Sequence, residues 1–171
     1  YAFVLFTAYR FGYNAEQNGY LFAFIGLISV ICQGLLFGIL VKKFGEKILT
    51  ALGCLLMAIS FFLIPHIGRE FGGLTLLLFA CILLTFGNAL ASPALTSLVS
   101  KISKEEEQGS SLGIMQSFAS LARAIGPGFG GVLLNNAVNK LDDITLYRTF
   151  WTASVIMLTA FLTAIYTMRI M

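Results

Sequence analysis

The sequence predicts an all-α membrane protein, a polytopic helical bundle. Three observations predict it. Hydrophobic residues make up 58% of the 171 residues and charged residues only 11%, where an ordinary soluble domain carries about 25% charged residues. Mean hydropathy is +0.88. The apolar residues also fall into uncharged runs as long as 30 residues, and a helix needs about 20 to cross a hydrocarbon core about 30 Å thick. A soluble globular domain, a disordered chain and a collagen-like chain are excluded. A β-barrel is disfavoured, because barrel strands alternate apolar and polar over about 10 residues and these runs are continuous.

Taken in order, the first apolar stretch is 1–9, too short to cross, without a basic leader or cleavage site. It reads as the tail of a helix whose beginning is missing, with a short re-entrant or interfacial segment as the alternative, so the chain is expected to be part of something longer. Gly19 to Val41 gives 23 uncharged residues, Ile48 to Pro65 gives 18 and Phe71 to Ser100 gives 30. Gly109 to Leu134 gives 26 with one Arg, and Thr149 to Met168 gives 20. The expectation is five complete spans, 19–41, 48–65, 71–100, 109–134 and 149–168, after the partial one.

The connectors are short. Asn14-Ala-Glu-Gln17 has capping-box chemistry ahead of the second span, and Ser103-Lys-Glu-Glu106 has it ahead of the fifth. Glu105, Glu106 and Glu107 then read as a solvated first helical turn, where the dipole favours acids. Loops alternate sides. One side carries Lys42, Lys43, Lys47, Lys101, Lys104 and Arg169, the other Arg10, Arg69, Lys140 and Arg148. That bias favours a cytoplasmic location for the Lys-rich loops and the C-terminus. It also explains the net charge of +3 without a nucleic-acid partner.

Cys32, Cys54 and Cys81 fall in separate spans with no metal-like spacing and read as small packing residues. His66, beside Pro65 in a loop, reads as solvated. No cofactor or metal motif is present. No acid lies well inside a span and no Ser–Lys or His constellation occurs, so an enzyme is the least supported class.

Polar groups in lipid are costly and face other helices or a water-filled cavity. In the fifth span Gly109, Gly113, Gln116, Ser120, Arg123 and Pro127 are spaced 4, 3, 4, 3 and 4, one helical face. Arg123 is the only charge deep in a span, with five donors and a permanent charge. It reads either as a cavity-facing contact for an anion, a substrate or a gating acid, or as a structural partner of backbone carbonyls or of a carboxylate elsewhere. In the fourth span Thr85, Asn88, Ser92 and Thr96 share a stripe, and in the second Gly26, Ser29 and Gln33 share one. Single Ser and Thr hydroxyls can bond to the backbone one turn earlier. Gln33 and Asn88 need more partners. The third and sixth spans are almost wholly apolar. The expected arrangement is a cavity lined by spans two, four and five, with three and six turned to lipid. GxxxG spacings at Gly34/Gly38, Gly109/Gly113 and Gly126/Gly130 allow close helix approach.

Two motifs sharpen this. Gly38-Ile-Leu-Val-Lys-Lys-Phe-Gly-Glu-Lys47 resembles the G-x-L-a-D-r-x-G-r-k loop of the major facilitator superfamily, with Gly38, Leu40, Lys43, Gly45 and Lys47 in place. Lys42 stands where the Asp belongs and Glu46 where a basic residue belongs, as in the copy between helices 8 and 9. Ala122-Arg-Ala-Ile-Gly-Pro-Gly-Phe-Gly-Gly131 resembles the g-x-x-x-G-P-x-x-G-G antiporter motif through Gly126, Pro127, Gly130 and Gly131, with Ala122 for the first Gly. The fuller strings around Gly109, Gly113 and Ser120–Pro127, and from Asn18-Gly19 to Gln33-Gly34, are similar to the tetracycline-transporter-like branch of drug:proton antiporters.

The resemblance implies one half of that superfamily's fold. It would be the C-terminal six helices, 7 to 12 with helix 7 truncated, over residues 1–171. It implies a multi-pass protein, expected in a bacterial inner membrane. Its expected partners are lipid, an N-terminal six-helix half of the same polypeptide, a small-molecule substrate and protons. The implied activity is proton-coupled efflux of amphipathic or drug-like molecules by alternating access. A proton- or cation-coupled symporter for a sugar or organic anion is the alternative, and a non-transporting scaffold a third reading. Gln33, Asn88, Gln116 and Arg123 are the expected substrate contacts. Phe118, off their stripe, is expected to pack. Coupling acids are expected in the other half.

Overall fold

In a computed structural model the described residues are 2–134 and 142–170. Lys140, the Arg169 side chain and most of the connector that begins at Asn135 lie outside them. Among the described residues the fold is helical, with no strand element. Helix α1 spans Ala2–Phe11, α2 Ala15–Ile31, α3 Phe37–Leu63, α4 Gly73–Ile102, α5 Gln108–Leu134 and α6 Asp143–Ile170.

Four helical runs are long and apolar enough to cross a membrane: Ala15–His66, Gly73–Ile102, Glu105–Leu134 and Asp143–Met168. The first is 52 residues long, more than twice what one crossing needs. It joins α2 to α3 through a π-helical turn at Cys32–Leu36 and ends in a 3-10 turn at Ile64–His66. The run is divided at Gly45, whose φ of 79° and ψ of 163° are non-helical. A side chain there would meet nothing within 4 Å, so the backbone conformation, not space, calls for glycine.

The direction of the chain changes at that residue. Before it, Leu21 joins the cluster around Leu77, and Leu40 and Val41 pack beside Leu90 and Ala94, so α2 runs parallel to α4. After it, Glu46 meets Lys101, Gly53 meets Gly87, and Ser60 donates to the Ala80 carbonyl at 2.8 Å, so the second half of α3 runs antiparallel to α4. It is also antiparallel to α6, since Ser154 reaches the Ala58 carbonyl at 2.7 Å and Trp151 stacks on Phe62.

Most of the core lies at one end of the bundle. Phe6, Leu21, Ile64, Ile67, Leu77, Leu146 and Phe150 form one buried cluster where α1, α3 and α5 end and α2, α4 and α6 begin. Polar ties close the same end. Arg10 pairs with Asp143 at 3.2 Å and donates to the Pro65 carbonyl at 3.3 Å. Arg69 donates to the Phe11 carbonyl, and buried Thr7 donates to Asn18 at 2.6 Å. Arg148 donates through Nε to the Leu133 carbonyl at 2.8 Å, one of the carbonyls that the end of α5 leaves without a helical partner.

The capping box ahead of α2 is formed: Gln17 N donates to Asn14 Oδ1 at 2.9 Å, and Asn14 N donates to Gln17 Oε1 at 3.0 Å. The box expected at Ser103 is not. Ser103 ends α4 instead, its hydroxyl and amide both donating to the Val99 carbonyl, and Glu105–Glu107 form a 3-10 turn before α5. The third span is likewise more than a lipid-facing helix. One stripe of α3, Ile48, Leu52, Ile59 and Phe62, is exposed and wholly apolar. The opposite face, with Leu49, Ala51, Gly53 and Ala58, is buried. Helix α6 exposes a similar stripe of Trp151, Val155, Leu158, Leu162 and Tyr166.

Candidate functional site

Helix α5 presents the polar stripe the sequence predicts. Its 27 residues form one continuous helix through Pro127, most of it is exposed, and only Leu134 is buried. Arg123 Nη2 reaches Gln116 Oε1 at 3.5 Å and Ser120 Oγ at 3.4 Å. These are long contacts within one helix face, at the outer limit for hydrogen bonds. Arg123 has no ion pair among the described residues. Its charge and the neighbouring amide therefore stand on a largely apolar helix. That arrangement is costly in lipid and suited to a wet or partnered surface.

Gln33 sits inside the π-helical turn, where the Phe37 amide reaches back to the Cys32 carbonyl. The extra residue per turn re-aims side chains, and such turns recur at functional sites. Gln33 is exposed and donates to Ser29 Oγ at 3.1 Å, within the stripe predicted for that span. Asn88 is exposed on α4 and makes no hydrogen bond among the described residues. Thr85 and Thr96 behave as hydroxyls commonly do in apolar helices. They donate to the carbonyls of Cys81 and Ser92 one turn earlier, at 2.7 Å and 3.0 Å. Gln116 and Arg123 are thus brought together. No hydrogen bond joins either to Gln33 or Asn88 among the described residues. Phe118 is exposed on the other side of α5, not packed.

The glycines divide in a way their spacing does not show. A Cβ on Gly34, Gly38, Gly109, Gly113, Gly126, Gly130 or Gly131 would meet nothing within 4 Å. None of the GxxxG pairs makes a close helix contact among the described residues. Gly53 and Gly87 make one instead. A Cβ on Gly53 would lie 2.5 Å from the Gly87 carbonyl oxygen, and one on Gly87 would lie 2.7 Å from the Gly53 carbonyl oxygen.

The basic loop is also tied. Glu46, outside the motif's usual chemistry, accepts from Lys101 and from Ser97 Oγ at 3.1 Å. The hydrogen bond from Lys101 holds the Glu46 carboxyl below the usual carboxylate range. Lys43 lies over the Phe44 ring at 5.3 Å. The Glu46–Lys101 tie was readable only as opposite charges at two helix ends. The buried Thr7–Asn18 bond left no signal in the sequence beyond two polar residues near a loop. His66 is exposed, as expected, and packs edge-on to Tyr147 with centroids 5.1 Å apart. No cluster among the described residues could hold a metal ion.

Residues 1–170 match the family model described as Major Facilitator Superfamily. The chain is 30% identical over 139 residues to the tetracycline resistance protein, class B, of Escherichia coli, covering 81% of this chain and 33% of that protein. It is 32% identical over 157 residues to multidrug resistance protein 2 of Bacillus subtilis, covering 91% and 36%. It is 29% identical over 152 residues to human solute carrier family 67 member A1, covering 81% and 34%. The chain spans about a third of the length of these curated relatives. No solved structure matches it.

Proposed function

This chain belongs to the major facilitator superfamily, and from that premise we propose that the protein containing it is a secondary transporter working by alternating access. Its cargo is amphipathic, drug-like small molecules, exported in exchange for protons. In that reading the six helices form the C-terminal half, and a second six-helix half closes the cavity. Substrate then lies near the bilayer midplane between halves. The observation that carries the reading is the exposed Gln116–Ser120–Arg123 stripe on an apolar helix. Gln33 in its π turn and Asn88, which makes no hydrogen bond among the described residues, add two more polar groups on apolar helices. The names of two relatives, a tetracycline resistance protein and a multidrug resistance protein, support the efflux direction and the cargo class. The Lys-rich loops support a cytoplasmic position for that end and for the C-terminus.

The test uses the full-length protein in proteoliposomes. A pH gradient is expected to drive accumulation of ethidium, a permanently charged amphipathic probe, and a protonophore to collapse it. Arg123→Ala is expected to abolish that flux at unchanged folded yield. Loss of folded protein in proportion would assign Arg123 a structural role, and no gradient-driven flux in the parent protein would remove the antiport reading.

One observation favours a second reading. Arg123 lacks a carboxylate partner among the described residues, so it could clamp a carboxylate or phosphate of a transported anion. Uptake of a labelled organic anion that is lost in Arg123→Lys would select symport.

A further inference from the structure

A slot of about 380 Å³ opens between the second half of α3 and the C-terminal ends of α4 and α6. Lys47, Ile102 and Met168 stand at its outer end, and Cys54, Leu95 and Ala160 lie seven or eight residues deeper, about 11 Å along a helix. No residue of α2 or α5 lines it, so it is separate from the polar stripes. Leu95 and Ile102 on its rim are exposed, which opens it sideways to the bilayer.

The lining holds three hydroxyls, and all three are satisfied within their own helices. Thr50 donates to the Glu46 carbonyl at 2.9 Å, Thr163 to Ala160 at 2.8 Å and Thr167 to Ala164 at 2.8 Å. The walls therefore offer methyl and methylene groups and few places for water, which needs two to four polar partners. One charge lies in the lining. Lys47 makes no hydrogen bond or ion pair among the described residues, whereas Lys101 is held by Glu46 and Lys43 lies on the Phe44 ring. An apolar groove topped by one free ammonium matches a molecule with a long hydrocarbon tail and an anionic head.

We propose that this slot binds one anionic phospholipid of the leaflet that the Lys-rich loops touch. An acyl chain lies along Cys54, Leu95 and Ala160, and the phosphate meets Lys47. Basic pockets between membrane helices take anionic head groups in this way. The site stands whether or not the transport reading does.

The test is native mass spectrometry of the full-length protein, released from nanodiscs holding equal dioleoyl phosphatidylglycerol and dioleoyl phosphatidylcholine. One phosphatidylglycerol is expected to be retained in preference to phosphatidylcholine. Lys47→Gln is expected to lower that preference about fivefold, the effect of one cation near an anionic surface. Ala164→Trp, which fills the slot and leaves Lys47 in place, is expected to abolish retention. Equal retention of both lipids by the parent protein overturns the proposal, as does unchanged retention in Ala164→Trp at normal folded yield. Displacement of the retained lipid by ethidium assigns the slot to a solute and overturns it as well. If Ala164→Trp does not fold, the Lys47→Gln comparison decides alone: an unchanged preference overturns the assignment.

Discussion

The α3–α4 seam and the outer face of α5 are built from the same small residues and end in opposite states. At the seam, Gly53 and Gly87 let two backbones approach until each glycine's missing Cβ would strike the other's carbonyl oxygen. Around them Leu49, Leu90 and Ala94 close over, buried Ser60 donates across to the Ala80 carbonyl, and Glu46 ties the end to Lys101 and Ser97. On α5, six glycines stand free among the described residues, and the Arg123 guanidinium reaches only Gln116 and Ser120. The seam's glycines are consumed by packing inside this chain. Those of α5 are available to something outside it. A small residue in an apolar helix therefore signals permission for contact, and only the neighbour decides whether contact occurs.

Variants can break or sharpen that contrast. Gly53→Val is expected to have the largest effect on stability, about 3 kcal/mol or more, because backbone and not a flexible side chain blocks the new atoms. Folded yield and thermal unfolding by size-exclusion would show it. Ser60→Ala removes one interhelical hydrogen bond at a fully buried site and is expected to cost about 1 kcal/mol in the same assay. Glu46→Gln is expected to do less, since Lys101 is exposed, but with a pH signature. The folded carboxyl titrates below its ordinary value because of the Lys101 hydrogen bond. Its contribution is therefore full above the unfolded value of about 4.3 and fades as pH falls through the lower folded value. A stability gap between parent and Glu46→Gln that widens as pH falls below about 4.3 would contradict this. The smallest stability change is expected for Arg123→Ala, whose contacts are long and exposed; a drop in melting temperature matching that of Ser60→Ala would place Arg123 in the packed structure instead.

Much of the candidate site was legible. The 4, 3, 4, 3 spacing that puts Gln116, Ser120 and Arg123 on one face survives because a continuous helix enforces it. The α2 capping box was legible for the same local reason. A serine between two helices can bond backward as well as forward, and Ser103 bonds back to the Val99 carbonyl, a choice its sequence spacing does not record. Uniform apolarity in the third span hides which side is buried, because lipid and protein interior accept the same residues. The π turn at Gln33 had no signature, since one extra residue in an apolar helix changes no pattern of composition.

The sequence by itself determined the class of the molecule, its apolar helices and the polar faces on three of them. Those properties follow from the cost of exposing backbone and charge to hydrocarbon, which is local and periodic. The tertiary structure alone decided that Gly45 turns the chain back, that Gly53 rather than Gly34 or Gly126 forms a close seam, and that Lys47 stands at the mouth of a slot while Lys101 is held by Glu46. Each depends on which helix lies alongside. Lipid and protein interiors are equally apolar, so hydropathy carries no record of that choice.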